Sequence, residues 1–175
     1  MSATLERRRA IEFRSDGRKL VGYAATFGTE AKLGSIVETI RPGAFRASLV
    51  AGRDILALAD HDPSKVLART RSGTLRLSED ARGLAFELTL PDTQAGRDVL
   101  TLAERGDLGG MSFGFVATDA AWPEKNRREL RAVELHEISV VSAWPAYQGT
   151  EVQARAARPS TPRLDALRTF LEGAR

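Results

Sequence analysis

Apolar and polar residues alternate in short runs along the first half of the chain, which is the period of half-buried strands. Residues 10–14 and 19–27 are two such runs, and Ser15-Asp16-Gly17 between them is a turn signal that predicts a hairpin. Residues 35–41 predict another short strand. Pro42 can then open a helix at its first position. Ala44, Phe45, Ser48 and Leu49 stand at helical spacing within 43–50, with Gly52 as the stop. Residues 54–60 form a short apolar strand that ends at His61. Three more runs, 66–71, 74–77 and 84–90, predict antiparallel strands joined by turns at Ser72-Gly73 and at 79–83.

The second half opens with the clearest helix. Asp92 or Thr93 caps it, Ala95, Val99, Leu102 and Ala103 make its apolar face, and Gly106 ends it. It leads into a glycine-flanked strand, Gly109-Gly110-Met111-Ser112-Phe113-Gly114-Phe115-Val116. A hairpin follows, from Val116 through Trp122-Pro123-Glu124-Lys125-Asn126 to a strand at 131–141. Seven or more short strands with two interspersed helices predict a mixed, β-rich α+β fold built on an antiparallel barrel or sandwich. From 154 to 162 the chain turns to Ala, Arg, Pro, Ser and Thr, a linker composition. Leu164, Leu167, Phe170 and Leu171 then suit a small amphipathic helix over 164–175. A helix of about 12 residues is marginal alone and needs a surface to dock on.

Composition narrows the class without choosing a function. A chain of 175 residues is most simply one domain. No apolar run approaches the roughly 18 residues of a membrane span, and no apolar segment follows the basic N-terminus as in a secretory signal. No cysteine is present, which excludes disulfides, thiolate zinc and a cysteine nucleophile. The net charge of +3 comes from arginines interleaved with acids, so it predicts a solvated mixed-charge surface and no specific nucleic-acid partner.

Three positions carry candidate chemistry. Alternation puts Met111, Phe113 and Phe115 on one face of their strand and Ser112 and Gly114 on the other. That reading turns Ser112 outward, beside a glycine that leaves room for a substrate backbone. A serine on the solvent face of a strand is the common alternative. His61, in Leu58-Ala59-Asp60-His61-Asp62-Pro63, ends a strand where Asp62-Pro63 must turn the chain, and imidazole is the side chain best suited to accept a proton near neutrality. A turn histidine at the surface, or a metal ligand with Asp60 and Asp62, is the alternative; the metal motif lacks a second spaced ligand, so neither metal nor cofactor is expected.

Glu137 lies in a largely apolar run, Leu135-His136-Glu137-Ile138-Ser139-Val140-Val141, and a carboxylate there must be paired or hydrogen-bonded. It could orient a catalytic imidazole or pair with an arginine. Its neighbour His136 is the rival for the orienting role, and alternation sends the two to opposite faces. A hydroxyl, an imidazole and a carboxylate are the parts of a serine-protease triad, here in the order His, Ser, acid.

Taken with Gly22-Tyr23-Ala24, Phe27-Gly28, Glu38-Thr39-Ile40-Arg41-Pro42-Gly43-Ala44-Phe45, Arg105-Gly106-Asp107-Leu108 and Pro145-Ala146, these segments resemble the tailed-phage prohead proteases, distant relatives of the herpesvirus maturation proteases. The resemblance spans roughly 10–153. It leaves 1–9 as a flexible lead and 154–175 as linker and helix. It implies a closed or nearly closed antiparallel β-barrel flanked by a few helices. It also implies a serine endopeptidase with Ser112 as nucleophile, His61 as base and Glu137 as third member. The herpesvirus enzymes use histidine as third member, which keeps His136 in view. The implied substrates are scaffold or the scaffold-like arm of the major capsid protein precursor, and the enzyme itself. The implied setting is a homodimer inside the immature prohead in the host bacterial cytoplasm, in reach of the portal or shell interior, without a membrane. Backbone N–H groups must hold the oxyanion, and the loop 143–148 is a candidate donor. A capsid-assembly protein on the same fold without cleavage, and a β-rich binding module, are the competing functions.

Overall fold

In a computed structural model, residues 5–10 and 12–142 are described, with side chains at 5, 6 and 17–142. Among them, eleven strands and two helices follow in chain order. They are β1 (Glu6–Ala10), β2 (Glu12–Asp16), β3 (Lys19–Thr26), β4 (Ala31–Leu33), β5 (Ile36–Ile40), α1 (Arg46–Val50), β6 (Leu56–Ala59), β7 (Asp62–Arg69), β8 (Leu75–Glu79), β9 (Gly83–Thr89), α2 (Gln94–Arg105), β10 (Gly110–Glu124) and β11 (Arg127–Val141). The β-rich α+β class holds.

Local signals did what their chemistry demands. β2 and β3 form the expected hairpin around Gly17, which turns at φ 57°. Helix α2 has Thr93 as N-cap, its side chain accepting from the Gly96 N–H, and Gly106 as a left-handed C-cap at φ 73°. Helix α1 starts later than Pro42 suggests. Gly43 sits at φ 96°, a conformation no helix continues through, so the helix begins at Arg46. Glu79 of β8 then accepts the Phe45 N–H at 2.9 Å in place of a cap from the helix itself.

The barrel does not close. Strands β1-β10-β11-β5-β4, with β6 and β7 joined to β11, make a seven-stranded sheet, and β2-β3-β9-β8 make a second sheet. Among the described residues no ladder links the two, and consecutive strands β1 and β2 already belong to different sheets. Nor is the pairing wholly antiparallel, because β11 runs parallel to both β5 and β6. Strand β1, whose residues 6–9 fall in the lead and whose Ala10 opens the expected domain, pairs antiparallel with β10. Glu6 also accepts from Arg128 of β11 at 2.8 Å, and Arg128 reaches the buried Glu38 of β5 at 3.1 Å.

Strand β11 organises the site, because three different segments take turns at one of its edges. Residues 127–130 pair with β5 and 137–140 with β6. Between them the α1 segment fills the gap: the Ala44 carbonyl accepts the Val133 N–H at 3.0 Å, and Ser48 Oγ accepts the Leu135 N–H at 2.8 Å. Buried backbone donors are thus satisfied along the strand. One core is shared by both sheets, with Leu20, Leu84 and Leu88 from the smaller and Met111, Phe113, Phe115, Ile138 and Val140 from the larger. Phe113 stands edge-on to Phe45 of the α1 segment at 5.6 Å and stacks on Phe115 at 5.2 Å. Burying each such ring contributes about 2–3 kcal/mol, so the apolar face of β10 is firmly anchored. The linker and helix expected at 154–175, and the loop 143–148, lie outside the described residues.

Candidate active site

The alternation expected of β10 is present. Met111, Phe113 and Phe115 enter the core, which leaves Ser112 and Gly114 on the opposite face. Ser112 is nevertheless only 1% exposed, not turned to solvent as its pattern suggested. Its Oγ is buried and has no hydrogen-bond partner among the described residues. In register it faces Arg9 of β1 on one side and Ser139 of β11 on the other.

Gly114 sits opposite Glu137, and its missing side chain makes space for that carboxylate rather than for substrate. A Cβ at 114 would stand 2.6 Å from Glu137 Oε1 and 2.9 Å from Glu137 Cγ.

His61 occupies a turn two residues earlier than Asp62-Pro63 suggested. Ala59 pairs with Asp62, so Asp60 and His61 alone form the loop between β6 and β7, at φ 51° and 60°. Two consecutive left-handed residues match the tight hairpin turn that follows the natural twist of strands. Pro63 falls within β7, paired among the described residues with β6 alone and so an edge strand, where its missing N–H is tolerated. The turn lays the imidazole against β11. His61 Nδ1 lies 2.7 Å from Glu137 Oε1, with the two side chains 16% and 7% exposed. Two flanking acids are occupied elsewhere. Asp60 accepts from Ser142, and Asp62 accepts the Ser64 hydroxyl and N–H, which hold its carboxyl below the usual range.

Glu137 and His136 do not obey simple alternation. Gly114 pairs with Glu137 but Phe115 with Leu135, so β11 carries one extra residue at His136. This β-bulge lets both Leu135 and Ile138 reach the core. Exposure, not strand face, therefore separates the rivals. Glu137 is 5% exposed and holds His61, whereas the His136 side chain is 41% exposed and lies 3.0 Å from Glu134. His136 stands outside the cluster.

Sequence reasoning passed over Ser139. It is fully buried, and its hydroxyl donates to Glu137 Oε2. Both carboxylate oxygens are thus engaged, one by the imidazole and one by a hydroxyl on the same strand. The signal was available: residues i and i+2 of a strand share a face.

A carboxylate gripping one ring nitrogen of a histidine, with a serine on the neighbouring strand, is the equipment of serine-type acyl-transfer enzymes. The family model of the caudovirus prohead serine proteases matches residues 5–162, and the chain belongs to that family. Its activity is therefore that of a serine protease of capsid maturation. No curated protein and no solved structure matches the chain. Among the described residues no helix is long and apolar enough to cross a membrane.

Proposed function

We propose that Ser112, His61 and Glu137 form the catalytic triad of an endopeptidase that cuts scaffold or the scaffold-like arm of the major capsid protein precursor, and its own chain, inside the immature prohead. The observation that carries this reading is the 2.7 Å contact of His61 Nδ1 with Glu137 Oε1, in a chain that belongs to a protease family. Because Glu137 engages Nδ1, Nε2 is the nitrogen left to take a proton. His61 Nε2 accepts the Ser112 hydroxyl proton as Oγ attacks the peptide carbonyl, and Glu137 stabilises the imidazolium that forms. The imidazolium then gives that proton to the departing amine, leaving an acyl-serine. Water, deprotonated by the same nitrogen, releases the acid and restores Ser112. Residues 10–153 are the protease domain in this reading and 154–175 an appended tail, and two copies act as a dimer.

A second reading, an assembly protein that no longer cleaves, draws on one observation: Ser112 is 1% exposed and its Oγ is unbonded among the described residues. One experiment separates the two. The chain is co-expressed with a major capsid protein precursor and the products are weighed by mass spectrometry, alongside fluorophosphonate labelling of Ser112. Cleavage and labelling that vanish in Ser112→Ala support the protease. Processing at the wild-type level by Ser112→Ala would end the proposal.

A further inference from the structure

The turn that carries His61 is held by an acid other than Glu137. Left-handed backbone is uncommon outside glycine because a Cβ crowds the carbonyl there, and Asn, Asp and His are the side chains that adopt it most readily. Asp60 and His61 adopt it in succession at φ 51° and 60°, a pairing that neighbouring contacts help to hold. Those contacts converge on Asp60. Its Oδ1 accepts the Ser142 N–H at 2.7 Å and its Oδ2 accepts the Ser142 hydroxyl at 2.9 Å. Its own N–H donates to the Val140 carbonyl at 2.8 Å. Ser142 directly follows β11, the strand that carries Glu137. The Asp60 carboxylate therefore ties the turn to the end of the strand whose Glu137 receives the imidazole.

We propose that Asp60 is a positioning residue for the catalytic base: its two-pronged grip on Ser142 fixes the left-handed turn so that His61 Nδ1 meets Glu137. The inference rests on reading His61 as the base. Hydrogen-bond geometry is what matters in it, so asparagine is the conservative replacement. Asparagine keeps an acceptor for the Ser142 N–H, presents an amide to the Ser142 hydroxyl, and tolerates the left-handed region. Alanine loses both prongs.

The full chain and its Asp60→Ala, Asp60→Asn and Ser142→Ala variants are compared in two measurements, with His136→Ala as a control. The first is the fluorophosphonate labelling of Ser112, resolved into its maximal rate and half-saturating concentration. The second is the NMR signal of the His61 ring Nδ1 proton. Asp60→Ala lowers the maximal rate by about 10- to 100-fold with the half-saturating concentration little changed, because a small displacement of the base costs rate rather than binding. It also weakens or abolishes the ring proton signal. Asp60→Asn restores most of both, and Ser142→Ala falls between. An unchanged rate and ring signal in Asp60→Ala overturns the proposal, as does a loss confined to the fraction of folded protein. Should Asp60→Ala fail to fold, Asp60→Asn and Ser142→Ala decide on the same two readouts. If wild-type Ser112 takes no label at all, the protease reading fails on its own, and the ring signal still decides whether Asp60 sets the His61–Glu137 contact.

Discussion

Gly114 lies directly across the β10–β11 ladder from Glu137, so close that an added methyl would stand 2.6 Å from the carboxylate oxygen that holds His61. The atom it meets is the far end of a flexible side chain, so the fold can yield. The carboxylate cannot yield and still keep its grip on the imidazole. Gly114→Ala is therefore expected to leave a folded, soluble protein whose cleavage rate falls by about 100-fold or more. Thermal melting beside single-turnover cleavage checks it; a large loss of melting temperature with normal activity per folded molecule would contradict it.

The nucleophile and base act as one unit in the proposed triad. Ser112→Ala and His61→Ala each remove nearly all cleavage, and the double variant loses little more. The comparison of single and double variants on the capsid precursor reads this directly. Multiplicative losses would mean that the two residues act separately.

Glu137 is expected to matter more than His136. Glu137→Gln keeps the shape but not the charge that stabilises imidazolium, and lowers the rate by roughly 10³- to 10⁴-fold. His136→Ala, at a 41% exposed side chain paired with Glu134, stays close to wild type. A reversal of that order in steady-state kinetics would reassign the third member.

How much of this was legible beforehand follows from how local each cause is. The β2–β3 hairpin and helix α2 were readable because Gly17, Thr93 and Gly106 act on their immediate neighbours. Ser112 and Glu137 stood out as candidates because each departs from its apolar run, and His61 because the chain has two histidines. The open sheets were not readable, since pairing of β11 with β5 and β6 links residues far apart in the chain. The bulge at His136 breaks the assumption of alternation at the one place where the rival residues sit. The turn was placed late because Pro63 is a louder signal than an aspartate and a histidine in left-handed backbone.

Acid sensitivity has an identifiable contributor away from the site. Asp54 accepts from the Arg69 guanidinium at 3.0 Å and the Arg71 N–H at 3.1 Å, and chiefly the first holds its carboxyl below the ordinary 3.8. A folded-state pKa below the unfolded one gives stability that is complete above the ordinary value and is lost as pH falls through the lowered one. Asp54→Asn should therefore melt earlier than wild type near neutrality, with the gap narrowing below about pH 3.8. A gap that widens with acid would show the sign to be reversed.

The tail is proposed to lie beyond the protease domain. A chain ending at Gln153 should fold and keep the His61 ring signal yet lose incorporation into proheads. Circular dichroism and prohead co-sedimentation test the two halves. Unfolding of the shortened chain would make the tail part of the core.

The pairing of β1 with β10 sets a limit on how any peptide can be read. At Ser112 the main chain of β10 is already hydrogen-bonded to β1 on one side and to β11 on the other. No vacant ladder runs beside the serine for an incoming chain to extend. A peptide that binds by main-chain pairing at this position would have to do so by strand exchange, with β1 the partner to be displaced. It offers five register pairs and, among the described residues, sits at the end of its sheet, whereas β11 is clamped from both sides. Recognition by pairing along β10 would then begin with an opening of the enzyme's own sheet, and the hold of Arg128 on Glu6 would help set how often that opening occurs.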